Sequence, residues 1–206
     1  MWGLVDSGSI TKLINNPKAL VIGDVQYPAK IFSLWSKSEL EAIGIYEVEF
    51  DNTNKKDEQW YTNTNQSFAF AGGKITASYG TATAKAHADT LWTAQDETDG
   101  KGTEGEVAVK GLKTVRIETI KKQAAGFLAG TDWYIVRKAD AGTAVPSAIT
   151  THRAAVRTKA AEQETAITNA SDTPALETLY AYVNTADEGD PPVMERPLGE
   201  FPELGS

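Results

Sequence analysis

The chain has no cysteine. That excludes disulfide frameworks, thiolate zinc sites and cysteine nucleophiles, and it suits synthesis in a bacterial cytoplasm. There is no apolar run of eighteen residues, so no transmembrane helix is expected. Met1-Trp2-Gly3-Leu4-Val5-Asp6 lacks a basic leader with an apolar core, so no signal peptide is expected there. An excess of positive charge is also missing: the net charge is −8, which argues against binding nucleic acid by neutralising phosphates. The two histidines, His87 and His152, each stand alone on alanine-rich stretches, with no partner at metal-ligand spacing.

What is present suits one large or two small domains in 206 residues. The apolar fraction is ordinary, so a real core is within reach. Charge is uneven. Residues 101–160 hold eleven Lys/Arg against five Asp/Glu, leaving the remainder more acidic than the total suggests. Such asymmetry favours contacts between subunits, or else a solvated helix pair. The five tryptophans, Trp2, Trp35, Trp60, Trp92 and Trp133, fall one per element, as core anchors do.

Residues 1–80 read as a mostly antiparallel β unit. Trp2, Leu4 and Val5 precede an Asp6-Ser7-Gly8 turn signal and Ile10 to Ile14. Gly23-Asp24 between Ala19–Ile22 and Val25–Tyr27 predicts a tight hairpin. Ser36 with Glu39 is a capping-box pattern, and Gly44 should stop that short helix. Ile45 to Phe50 alternates apolar and polar, the signature of a half-buried strand. Trp60-Tyr61 and Phe68 to Phe70, with a turn at 63–66, and Ile75 to Tyr79 beyond Gly72-Gly73 complete the unit.

Residues 81–185 read as a helical unit, with helices near 82–95, 109–129, 147–169 and 174–184. In the first, Ala84, Ala88, Leu91, Trp92 and Gln95 share a face. Asp96 to Gly105 is an acidic, glycine-rich loop and the expected flexible point between the halves. It spells G-x-G-x-x-G, but it follows no buried strand and its acids would repel a pyrophosphate. In the second helix Leu112, Val115, Ile120, Ala124 and Phe127 share a face. Gly130 is expected as a left-handed C′ residue, with Thr131 or Asp132 capping the next turn and Trp133 to Val136 extended. Pro146 is placed at N1 of the third helix. Ile149, Val156, Ala160, Gln163 and Ile167 make its apolar stripe, thin enough to suggest packing on one side only. Thr173 is expected to cap the fourth. Residues 186–206, with Pro191, Pro192, Pro197 and Pro202, read as an extended tail that either straps over its own domain or docks on another subunit. The fold class expected is α+β: β-rich unit, helical hairpin, proline-rich tail.

Arg153 and Arg157 lie one turn apart on the third helix, and Asp132 is the nearest candidate counter-ion. The order Leu-Ala-Gly-Thr131-Asp132-Trp133, then His152-Arg153-Ala-Ala-Val156-Arg157, resembles tailed-bacteriophage tail proteins. It is similar to the phage tail assembly chaperone and tail-fibre assembly families and to related structural proteins of marine phages. There a helix ends in Thr/Ser-Asp-Trp, a Tyr-Arg-x-x-Leu-Arg helix follows, and a Trp-Pro closes the unit. His152 stands for the Tyr, Val156 for the Leu, and Phe201-Pro202 for the Trp-Pro. The resemblance covers residues 105–170. The longer third helix, the helix at 174–184 and the acidic tail depart from it.

The resemblance implies a non-enzymatic virion structural protein of the tail, baseplate or fibre-attachment region. The rival is a tail-fibre assembly chaperone absent from the mature particle. Implied with it are an internal brace of Asp132, Trp133, Arg153 and Arg157, and docking through Met194, Leu198, Phe201 and Pro202. Partners would be other tail or virion proteins and further copies of the chain. No cofactor, nucleic acid or membrane is expected.

Overall fold

The computed structural model describes residues 1–205, and the fold is α+β. It divides into two compact units, Met1–Thr83 and Ala84–Ser206.

The first unit is built on a five-stranded sheet. Its strands are β1 (Trp2–Asp6), β2 (Ser9–Ile14), β5 (Ile45–Asp51), β7 (Ser67–Ala71) and β8 (Lys74–Ser78), in the order β2-β1-β5-β8-β7. All pairs are antiparallel except β5 with β8. The turns are those the sequence specifies. Ser7 and Gly8 both have positive φ and close β1–β2 two residues across. Gly72 and Gly73 do the same for β7–β8, as a type I′ turn requires. A separate hairpin, β3 (Leu20–Ile22) with β4 (Val25–Tyr27), turns at Gly23-Asp24 with Ile22 opposite Val25. After a one-turn helix, α1 (Ile31–Leu34), comes α2 (Lys37–Ala42), whose capping box is complete: the Ser36 hydroxyl accepts from the Glu39 N–H while the Glu39 carboxylate accepts from the Ser36 N–H. Gly44 ends it at φ +80°.

The sheet carries a core on each face. Ile45 packs with Ile14, Leu20, Ile31 and Leu40 under the helices and the small hairpin. Val48, Ile75 and Ala77 pack on the other face with Val5, Ile10, Tyr46, Phe68 and Phe70. Strand alternation sends Ile45 and Tyr46 to opposite sides. Gly3 sits where any Cβ would collide with the Ile75 Cδ1 methyl. Beyond β5, β6 (Tyr61–Thr62) follows a turn that buries Trp60, and β9 (Thr83–Ala84) falls at the boundary of the units.

The second unit does not begin with a helix at 82–95. The segment 85–89 instead caps another element. Ala86 and His87 carbonyls accept the Leu112 and Lys113 N–H groups, and the Asp89 carboxylate accepts from Gly111 N–H and the Thr114 hydroxyl. Thus the first turn of α4 (Leu112–Ala129), whose N-cap Gly111 has no side chain, finds its missing acceptors elsewhere in the chain. A two-stranded pair, β10 (Thr90–Leu91) with β11 (Val107–Val109), flanks a short helix α3 (Ala94–Thr98).

α4 and α6 (Ser147–Asn169) form the hairpin, running antiparallel: Lys113 donates to the Thr168 carbonyl near one end and Arg153 to the Leu128 carbonyl near the other. Ile149, Arg153, Val156, Ala160, Gln163 and Ile167 are all buried along one seam of α6, spaced alternately four and three apart. Pro146 is the residue before the helix, one place short of the expected N1. The segment expected to be extended, 133–136, lies within a helix, α5 (Asp132–Ala141), closed by Gly142 at φ +68°. Gly130 is right-handed at φ −61°, so α4 does not end through a left-handed glycine. α7 (Thr173–Tyr180) is capped by Asp172, not Thr173; the Thr173 hydroxyl donates to the Lys85 carbonyl instead.

Residues 186–205 do not run free. β12 (Val183–Asn184) pairs with β13 (Met194–Glu195) as a small ribbon, and the chain after it returns to α6 and α7.

Candidate interaction site

The corner where α4, α5 and α6 meet is built around Arg153. Its side chain is 8% exposed, and the guanidinium faces three acceptors. Nη1 donates to the Leu128 carbonyl at 2.9 Å and to the Thr131 hydroxyl at 2.6 Å. Nη2 pairs with Asp132 Oδ1 at 2.8 Å. Thr131 in turn donates its hydroxyl to Leu128, so one carbonyl at the end of α4 gathers donors from the next turn and from the opposite helix. A buried cation is tolerable because both arms of the guanidinium fork meet oxygens. Asp132 is 60% exposed, so the pair is wet on one side only.

The other two residues of the expected brace lie elsewhere. Trp133 is 51% exposed and stacks with Tyr134 and under Arg137, at 4.7 Å from its guanidinium carbon, rather than under Arg153 or Arg157. The cation is its own helical neighbour at i+4. Arg157 is exposed. It donates weakly to the Arg153 carbonyl and borders an open groove of about 570 Å³ with Ala124, Ala160, Glu164 and Thr168. Ile135 and Val136 are exposed beside Trp133, and α5 buries no residue.

On the other side of the α6 seam lies the groove that the 196–205 segment enters. Leu198 is 2% exposed and Phe201 9%. The Leu198 N–H donates to the Leu179 carbonyl, and Gln163 Nε2 donates to the Gly199 carbonyl at 2.9 Å. Phe201 packs on Phe127 with ring centroids 5.1 Å apart. Arg196 lies over Tyr180 and pairs with Glu200. Burial pushes the Tyr180 hydroxyl up, against the opposing pull of Arg116 and Arg196. Of the four residues expected to dock a partner, Leu198 and Phe201 are thus covered by their own unit, Pro202 is half-buried, and Met194 is exposed. The residual cleft beside Phe127 and Phe201, about 530 Å³ and open, is edged by Arg196, Glu200 and Glu203.

Gln163 and Thr131 were not singled out as site residues by sequence reasoning. A glutamine within an apolar stripe was the available signal for the first. For Thr131 there was only its place in the Thr-Asp-Trp step.

The acidic loop is closed upon itself. Lys101 reaches Asp96 and Asp99, each at 3.0 Å, and Trp92 lies against Gly102 where a side chain would not fit. Hydrogen bonds from Thr93 and then from Lys101 hold the Asp96 carboxyl down to about 2. Among the described residues no group of three or more His, Asp or Glu is arranged to hold a metal, and no helix is long and apolar enough to cross a membrane.

No family model, curated protein or solved structure matches the chain.

Proposed function

We propose that the protein is a non-enzymatic structural component of a tailed-bacteriophage virion, in the tail, baseplate or fibre-attachment region, working by docking of subunit on subunit. It would be made in the host cytoplasm and act in the particle, with other tail proteins and further copies of itself as partners. The observation that carries the reading is the corner around Arg153. The residues that resemble the phage tail families, Thr131, Asp132 and Arg153, come together from two helices into one interlocked set. That is the behaviour of a motif that shapes a scaffold. The neighbouring Trp133 and Val136, three residues apart on one side of α5, give that corner exposed apolar surface suited to a neighbour.

The rival reading, a tail-fibre assembly chaperone absent from the particle, is favoured by one feature. Leu198 and Phe201 pack onto their own unit, as in a factor that is complete by itself. An antibody raised against the chain separates the two. The virion reading predicts labelling of gradient-banded particles at one end. Labelling of infected lysate with clean particles would replace it by the chaperone.

A further inference from the structure

Residues 181–195 link α7 to the 196–205 segment, in which Leu198 and Phe201 are buried, and none of the linking residues is itself buried. The ribbon is short: Val183 faces Glu195 and Asn184 faces Met194, with the Asn184 side chain accepting from the Ala186 and Val193 N–H groups. Pro191 and Pro192 stiffen its return arm. Tyr182, Val183, Val193 and Met194 are all exposed along it. A ribbon held by two ladder positions, the Thr185 N–H on the Val193 carbonyl and the Asn184 side chain is marginal by itself, and Tyr182, whose hydroxyl donates to Glu200, stays exposed on it with Val183, Val193 and Met194.

We propose that residues 196–205 are an exchangeable strap: in the assembled protein the strap of one copy occupies the α4–α6 groove of a second copy. The occupant is set by the groove itself. The strap is seated by the same chain's α4, α6 and α7, with Phe127 on Phe201, Gln163 on Gly199, Leu179 on Leu198 and Tyr180 on Arg196, and by Tyr182 just beyond α7, whose hydroxyl donates to Glu200. An identical copy offers the identical seat, so exchange keeps those contacts and gives up the ribbon's own hydrogen bonds, the ladder and those of Thr185 and Asn184 with Val193. Opened out, the fifteen linking residues reach on the order of 50 Å, enough to span two subunits. Two opened linkers from a symmetric pair then run past one another, and Tyr182, Val183, Val193 and Met194 of each gain a cover they lack in the closed chain. Asp187, Glu188, Asp190 and Glu195 sit on the same linker, so the two repel at low salt, and exchange strengthens as salt screens them.

The inference deepens the docking reading by naming the first partner as a second copy of this chain, yet it is tested on purified protein alone. Absence from virions would overturn the virion reading without touching exchange.

The lack of cysteine makes the test clean. Gln123 and Glu203 edge the same cleft beside the strap. Full-length Gln123→Cys and Glu203→Cys chains, carrying different tags, are mixed at low and high salt and bridged with a flexible bis-maleimide. The double variant, Gln123→Cys/Glu203→Cys, is bridged in parallel. Exchange predicts a heterodimer whose fraction rises about tenfold per tenfold in concentration while closed chains dominate, rises with salt, and appears at the expense of the bridge within one chain. A third chain lacking residues 186–190 loses the turn of its ribbon and should show a larger dimer fraction than the parent at equal concentration. Bridges only within one chain at every concentration, with a deletion variant no more dimeric than the parent, would overturn the proposal. So would a heterodimer that leaves the internal bridge undiminished, since that is docking side by side.

Discussion

Arg153 and Asp132 meet at 2.8 Å, yet they stand in different media: the arginine side chain is 8% exposed and the aspartate side chain 60%. The two partners are therefore unequal. Arg153→Ala removes three hydrogen-bonded contacts and leaves the Thr131 hydroxyl oxygen without its donor in a buried corner, while the Leu128 carbonyl keeps the Thr131 N–H and hydroxyl. It should lower the stability of the helical unit by about 3 kcal/mol. Asp132→Asn leaves the other acceptors in place and should change stability by less than about 1 kcal/mol. Denaturant unfolding of both variants checks this, and equal losses would show that the pair, not the buried fork, sets the cost.

Gln163 is fully buried, with Nε2 on the Gly199 carbonyl and Oε1 unpartnered. Its bulk and its hydrogen bond are separable. Gln163→Ala should cost about 2 kcal/mol by opening a cavity under the strap, and protease cleavage at 181–195 should quicken. Gln163→Leu fills the space and removes an unpaired oxygen, so its effect should stay within about 1 kcal/mol. If leucine were the more damaging, the bond to Gly199 would be the main clip.

The acidic loop should respond to acid late. Asp96 is held down to about 2 from an ordinary 3.8 by Thr93 and then Lys101. A depressed carboxyl contributes its stabilisation above its unfolded value and loses it as pH falls through the folded one. The loop should therefore stay closed at pH 4 and loosen between about pH 4 and 2. The Trp92 indole resonance, from a ring lying against Gly102, reports the change. Thr93→Val removes the largest cause and should move the midpoint upward. A midpoint unmoved by that change would contradict the assignment.

Gly3→Ala should destabilise the first unit by about 2 kcal/mol, since the new methyl meets Ile75 Cδ1. Trimming that methyl in Gly3→Ala/Ile75→Val should recover a good part of the loss. Thermal unfolding of the double variant decides it: simple additivity would mean that the collision is not the cause.

Local signals were legible wherever a few neighbouring residues decide the outcome. Gly23-Asp24, Gly72-Gly73 and the Ser36–Glu39 box each specify their turn or cap by backbone chemistry alone, and the limits of α6, 147–169, come from a long unbroken pattern. The misread segments answer to distant partners. Residues 82–95 have a helical pattern, but the Ala86 and His87 carbonyls and the Asp89 carboxylate serve the first turn of α4, about twenty-five residues on. The run Trp133 to Val136 is aromatic and β-branched, which left a short helix and a strand indistinguishable by pattern. It is helical and ends at Gly142, whose left-handed backbone suits a helix end. At the candidate site the sequence offers Asp132 as the nearest counter-ion for Arg153 and Arg157, and the structure pairs it with Arg153. The choice of Arg153 over Arg157 was not legible, because it depends on which of them falls on the seam facing α4.

The measurement that bears most directly on the proposed function is quantitative mass spectrometry of purified, gradient-banded particles. The account predicts that the chain is present in a fixed copy number, a multiple of three or six per particle, set by the symmetry of a tail, baseplate or fibre substructure. A chain abundant in infected lysate and missing from particles would contradict it.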